Sequence, residues 1–160
     1  QIALNIIMAQ TGSYVPANNA NLCLVDKIFA RIGANDNLFE GKSTFMVEML
    51  ETANILNNCT ENSFVILDEI GRGTSTFDGL SIAASIAKYI IQQTKAKTIF
   101  ATHYHEMTSL AEKYSQIKNL NIAVLEENNT IRFSYKVVPG YAQICPKKLR
   151  NTCSSTGRAT

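Results

Sequence analysis

FVILDEIGRGTSTFDG, residues 64–79, decides how this chain folds. Four apolar residues, Phe64 to Leu67, run without a polar interruption. So short and apolar a run fits a strand buried on both faces, as in a parallel sheet. Two acids, Asp68 and Glu69, follow at once, and then a loop carrying Gly71, Gly73, Thr74 and Ser75. Asp78 is placed to cap a long helix, GLSIAASIAKYIIQQ, residues 79–93. TIFAT, residues 98–102, reads as a second buried strand. Strand, helix and strand in this order make a βαβ crossover, so the fold class is α/β.

Upstream of this unit, IALNIIMA (2–9) is apolar on nearly all sides and reads as a buried helix stopped by Gly12. Val15-Pro16 forces an extended turn. LCLVDKIFARI (22–32) reads as a strand running into a short helix, and GANDNLFEGKS (33–43) as a loop. From Thr44, Phe45, Met49, Leu50, Ala53 and Leu56 fall close to helical spacing, and that helix ends at Asn57-Asn58. Downstream, YHEMTSLAEKY (104–114) reads as a helix. TIRFSYKVV (130–138) alternates Ile131, Phe133, Tyr135 and Val137 against polar residues. With KNLNIAVL before it and Glu127, Asn128 and Asn129 between, it forms an antiparallel hairpin. The last stretch, ICPKKLRNTCSSTGRAT, loses all periodicity and reads as flexible or foreign to the fold.

Composition narrows the function classes. The chain's 160 residues suffice for one domain with a real core. Net charge is +2 and no basic run exceeds Lys147-Lys148, so composition does not argue for nucleic acid. Cys23, Cys59, Cys145 and Cys153 fall at wide spacings with no CxxC pair, which excludes the common zinc patterns and gives no disulfide framework. No apolar run reaches the roughly 18 residues of a membrane span. The amino terminus lacks the marks of a signal peptide, and a start at Gln1 suggests a longer parent.

The chemistry sits where the strands end. In an open α/β sheet, ligands collect at the carboxyl ends of the strands. An Asp there can hold Mg²⁺, usually through water, because magnesium gives up its hydration shell reluctantly. A neighbouring Glu can orient the water that attacks a γ-phosphate, or accept its proton. Asp68 and Glu69 therefore form a Walker B arrangement, their side chains pointing differently because directions alternate along a strand. Taken alone, such a pair starts a loop as often as it builds a site. His103 directly follows the second strand; beside Glu69 its imidazole could hydrogen-bond a terminal phosphate, although a lone His at a strand end is more often structural. His105 reads as a surface helix residue.

FEGKST (39–44) looks like the end of a P-loop, but GxxxxGK[ST] would need glycine at position 36, which is Asp36. No buried strand leads into it either. The segment still opens a helix, and a helix N-terminus can contact a phosphate without being its main cradle. The plain alternative is a Ser/Thr cap.

STFMVEMLETANILNNCTENSFVILDEIGRGTSTFDGLSIA (43–83), followed by FATHYHEM (100–107), strongly resembles the ATPase domain of the MutS family of DNA mismatch-repair proteins. TANILNN, DEIGRGTSTFDG and ATHYHE in this order are highly specific, and the likeness runs from residue 1 to about Gly140. The resemblance implies an ABC-type P-loop NTPase core: a mostly parallel sheet flanked by helices, with a C-terminal antiparallel hairpin. Residues 1–140 would be a partial ATPase domain and 141–160 a divergent, flexible tail. It implies ATP and Mg²⁺ as cofactors, with Asp68 the Mg²⁺-associated acid, Glu69 the catalytic base and His103 the γ-phosphate switch. It implies a homodimer or related heterodimer in which Gly41, Ser43, Thr44 and Ser75 serve the partner subunit's nucleotide. FEGKST would then belong to a nucleotide site, but the neighbour's. The parent would bind mismatched double-stranded DNA through amino-terminal domains that this sequence lacks, and would meet downstream repair factors but no membrane. It would be cytoplasmic and DNA-associated if bacterial, nuclear or organellar if eukaryotic.

The family's P-loop would precede Gln1, and the sequence after Pro139-Gly140 departs from the family pattern. This chain alone is therefore expected to hydrolyse ATP very poorly. Two other readings remain. A catalytically inactive dimerisation or regulatory module would explain the missing P-loop. A membrane-transporter nucleotide-binding domain would require an LSGGQ-like signature, which the sequence does not contain.

Overall fold

A computed structural model describes residues 1–33, 43–127 and 130–140. Gly41 and Lys42 of the FEGKST segment, the turn residues Asn128 and Asn129, and the tail from residue 141 lie outside the described residues, as do the side chains of Ile131, Phe133 and Tyr135. The chain divides into two compact units, Gln1–Met107 and Thr108 onward.

The first unit is built on three parallel strands in the order β1-β2-β3: Ile28–Arg31, Phe64–Asp68 and Lys97–Ala101. β2 is central, and its register runs from Phe64 opposite Lys97 to Asp68 opposite Ala101. On its other side Ile28 pairs with Phe64 and Arg31 with Leu67. Parallel pairing demands long crossovers, and helices supply them. α2 (Thr44–Asn58) lies between β1 and β2 in the chain; α3 (Thr76–Tyr89) lies between β2 and β3 and widens into a π turn, Ile90–Thr94. Lys95 closes that turn in the left-handed region, at φ 55°.

Burial follows from this arrangement. Val65 and Leu67 are fully buried and cluster with Ile70, Ile55 of α2, Ile86 of α3, Ile90 and Ala96. Each of the valine, leucine and isoleucine side chains among them contributes about 1.5–3 kcal/mol relative to exposure. The opposite face of β2 is less enclosed, because Ile66 and Asp68 are only half-buried. β3 is not the buried strand its apolar composition predicts. Lys97, Ile99 and Ala101 are exposed and only Thr98 and Phe100 are half-buried, since β3 pairs on one side alone among the described residues.

α1 (Ile2–Gln10) is a helix ending near Gly12, at φ 79°, as its sequence requires, but it is not buried. Only Ile6 is enclosed; Ile2, Leu4, Ile7 and Met8 are exposed. Its Gln10 amide grips the backbone of Val25, accepting from N–H at 2.7 Å and donating to C=O at 3.1 Å. Residues 22–32 hold no helix: the strand occupies Ile28–Arg31, at the end of the segment rather than its start. Asp26 precedes it and accepts from the Thr60 hydroxyl (2.6 Å) and the Ser63 hydroxyl (2.8 Å), fastening the amino-terminal ends of β1 and β2.

The inner stripe of α2 is Glu48, Thr52 and Ile55, with Leu50 and Ala53 exposed. The stripe is displaced from the apolar pattern because two of its three innermost positions are polar. Arg31 reaches α2 from β1, its Nε 2.8 Å from Glu51 Oε2 in an ion pair without hydrogen-bond alignment.

In the second unit, β4 (Leu120–Glu127) and β5 (Thr130–Pro139) form the expected antiparallel hairpin. The register shifts between Ile122 and Val124, where the Ser134 hydroxyl donates to Ala123 O at 2.7 Å. The segment 104–114 is less regular than one helix: a 3₁₀ turn at His105–Ser109 precedes the single α-helical turn α4, Leu110–Lys113.

Candidate functional site at the carboxyl ends of the strands

Asp68 is the last residue of β2, half-buried, and pairs in register with Ala101 of β3. His103 follows Ala101 by two residues and is exposed. Both therefore emerge at the carboxyl ends of neighbouring parallel strands, where the sequence put them. Thr102 makes the turn between, its hydroxyl accepting from Tyr104 N–H at 3.0 Å. The His103 ring lies against Tyr104, with ring centroids 4.4 Å apart.

Glu69 differs from Asp68 for a reason other than strand alternation. It has left the strand with φ 50°, a left-handed conformation that non-glycine residues adopt at a cost of about 1–3 kcal/mol. Its N–H remains tied to Ala101 O at 3.0 Å, and its C=O accepts from Arg72 N–H at 3.4 Å. The Glu69 carboxylate meets the Arg72 guanidinium at 2.5 Å. Both partners are well exposed, so the pair orients the carboxylate more than it stabilises the fold.

Behind these acids the loop is held by residues the sequence analysis passed over. Gly71 lies at φ 88°; its N–H donates to the buried Glu48 carboxylate at 2.5 Å and its C=O accepts from the buried Tyr104 hydroxyl at 3.0 Å. Gly79 of α3 packs so closely that a Cβ there would stand 2.3 Å from Gly71 O and 2.2 Å from Tyr104 Oη. The sequence did hold a signal for Glu48, since an acid three residues after Phe45 falls on the inner face of an amphipathic helix.

The helix caps revise one expectation. α3 begins at Thr76, and its N-cap is Ser75, not Asp78. The Ser75 hydroxyl accepts from Asp78 N–H at 3.3 Å and donates to Asp78 Oδ2 at 2.7 Å. Asp78, three positions along, thus supplies both the N–H that the cap accepts from and the carboxylate that the cap hydroxyl donates to. At α2, Ser43 occupies the N-cap position without a side-chain cap hydrogen bond, and Thr44 is the first helical residue; both are exposed.

Among the described residues no group of three or more His, Cys, Asp or Glu is placed to hold a metal ion. Magnesium at a phosphate site takes one or two carboxylates and completes its shell with water and phosphate oxygens. Asp68, half-buried at a strand end, fits that part.

The MutS domain V family matches residues 1–145. This chain belongs to that family. MutS domain V relatives include the DNA mismatch repair protein MutS of Syntrophomonas wolfei, 58% identical over 142 residues, covering 89% of this chain and 16% of that protein. The DNA mismatch repair protein MutS of Alkaliphilus metalliredigens is 61% identical over 140 residues, covering 88% and 16%. That of Caldanaerobacter subterraneus is 55% identical over 140 residues, again covering 88% and 16%. The chain thus spans about a sixth of the length of these relatives. No helix among the described residues is long and apolar enough to cross a membrane.

Proposed function

We propose that this chain is the ATP-hydrolysing part of a DNA mismatch-repair MutS protein, built on an ABC-type P-loop NTPase core. The observation that supports the reading is the pairing of β2 with β3, after whose carboxyl ends Asp68, Glu69 and His103 fall, within a MutS domain V sequence. Asp68 would hold Mg²⁺ through water. When bound, Mg²⁺ neutralises charge developing on the β- and γ-phosphates. Glu69, its carboxylate oriented by Arg72, positions the attacking water and accepts its proton. His103 donates a hydrogen bond to a γ-phosphate oxygen. Ser43 and Thr44, exposed at the start of α2, would serve with Gly41 and Ser75 the nucleotide of a second subunit, so the working unit is a dimer. The Ser75 hydroxyl must leave its cap on Asp78 to do so, or contact the nucleotide through its backbone. The parent binds mismatched duplex DNA through other domains and passes its nucleotide state to downstream repair factors. Its compartment is the DNA-associated cytoplasm if the parent is bacterial, and the nucleus or an organelle if it is eukaryotic. The ATPase segment covers residues 1–140 and 141–160 are an appendage to it, although the family match continues to residue 145.

The sequence contains no GxxxxGK[ST] cradle, so the chain alone hydrolyses ATP slowly. The test is a chimera in which residues 1–140 replace the corresponding segment of the Alkaliphilus metalliredigens MutS. It hydrolyses ATP, and Asp68→Asn raises the Mg²⁺ concentration needed for half-maximal turnover. A chimera without ATPase activity, or Mg²⁺ dependence unchanged by Asp68→Asn, would overturn the reading.

A further inference from the structure

We infer that Glu48 and Tyr104 are positioning residues that clamp the two ends of Gly71 and so hold Glu69 in register with both the start of α2 and His103. The inference rests on the reading above for what Glu69, His103 and Ser43 do. The clamp itself rests on geometry alone.

Glu48 is only 5% exposed and Tyr104 only 4%. A carboxylate is not buried without cause, because desolvating its charge costs far more than desolvating an apolar side chain of the same size. The described compensation for Glu48 is the N–H of Gly71 at 2.5 Å, a hydrogen bond across 23 residues of chain. The other end of Gly71, its C=O, takes the Tyr104 hydroxyl across 33 residues. Three segments therefore converge on this glycine: α2, the loop after β2, and the loop after β3. Each also carries one of the proposed functional groups. Glu48 lies little more than one helical turn from Ser43, about 7.5 Å along the helix axis. Gly71 lies two residues after Glu69, and Tyr104 directly follows His103.

The fit leaves little slack. Gly71 at φ 88° has no room for a Cβ, which would stand 2.6 Å from Gly79 O, and Gly79 is filled in turn by Tyr104 Oη. With the Glu69 backbone also in the left-handed region, the direction of the base depends on where the Gly71 peptide is anchored.

The experiment compares Glu48→Ala, Glu48→Gln and Tyr104→Phe in the same chimera. Glu48→Ala lowers kcat about 10- to 100-fold, the scale of a misplacement of about 1 Å, while KM for ATP stays near the wild-type value. Glu48→Gln, whose amide oxygen still accepts from Gly71 N–H, recovers most of the turnover, and Tyr104→Phe gives a smaller loss than Glu48→Ala. A purely structural Glu48 would lower the melting temperature and leave kcat per folded site unchanged, and that result overturns the inference. A second arm needs no ATPase activity. Amide exchange in the 160-residue chain, resolved at Gly71, quickens in Glu48→Ala relative to the amides of Val65 and Leu67, and is largely restored in Glu48→Gln. Wild-type exchange at Gly71 in Glu48→Ala would sink the clamp, even if an inactive wild-type chimera had already sunk the ATPase reading.

Discussion

Replacing Gly79 by alanine asks whether the contact between α3 and the loop after β2 is as close as the structure makes it. The added methyl would lie 2.3 Å from Gly71 O, 3.1 Å from Gly71 C and 2.2 Å from Tyr104 Oη. One of those neighbours is the end of a side chain, but the other is backbone, and neither can be overlapped by a carbon. Overpacking of this kind costs about 1–3 kcal/mol. Displacing Tyr104 also breaks its hydrogen bond to Gly71 O, worth about 0.5–1.5 kcal/mol. Against this, alanine gains about 1 kcal/mol over glycine inside a helix, and Gly79 lies inside α3. The net is a loss of about 2 kcal/mol. In a chain of this size that lowers the melting temperature by about 4–8 °C. Urea unfolding of the 160-residue chain, followed by circular dichroism, measures it. Tyr104→Phe removes one of the two clashes, so Gly79→Ala costs less in that background, by about 0.5 kcal/mol or more. A Gly79→Ala chain as stable as wild type, or more so, would refute the packing; strict additivity with Tyr104→Phe would refute the part assigned to the hydroxyl.

Leu67→Ala, at a fully buried position in the central strand, is expected to cost about 2–5 kcal/mol in urea unfolding; a loss below 1 kcal/mol would place Leu67 outside the core. The Thr60 hydroxyl chiefly, with the Ser63 hydroxyl, the Lys27 N–H and the Lys27 charge, holds the Asp26 carboxyl below its ordinary pKa against a smaller opposing effect of burial. A depressed folded pKa stabilises above the unfolded value and loses that contribution as pH falls through the folded one. Wild type should therefore exceed Asp26→Asn in stability at neutral pH, the gap closing below about pH 4. A gap that does not narrow on acidification would mean that Asp26 acts through shape rather than charge.

How much of this could be read beforehand depended on how local the cause was. The central strand was legible because Phe64–Leu67 is an uninterrupted apolar run, and the hairpin because period-two alternation flanks a short polar turn. Asp68 and His103 followed at once, since the ends of neighbouring parallel strands come together whatever loops join them. The burial of α1 and β3 is not legible in the sequence, because composition reports what a segment would bury, not what lies beside it. β3 has one described neighbour, and α1 encloses only Ile6. Glu48 and Tyr104 escaped notice because their role depends on contacts 23 and 33 residues away, which no window of sequence contains. The cap was misassigned for a smaller reason: Ser75 and Asp78 are both good cap residues three positions apart, and only the observed bonds show which one begins the helix.

Turnover of ATP by the chimera carrying Glu69→Gln bears most directly on the proposed site. Gln keeps the size of Glu69 and can no longer take a proton from water. The account predicts that ATP still binds while kcat falls about 100-fold or more. A Glu69→Gln chimera that hydrolyses ATP at the wild-type rate would contradict it.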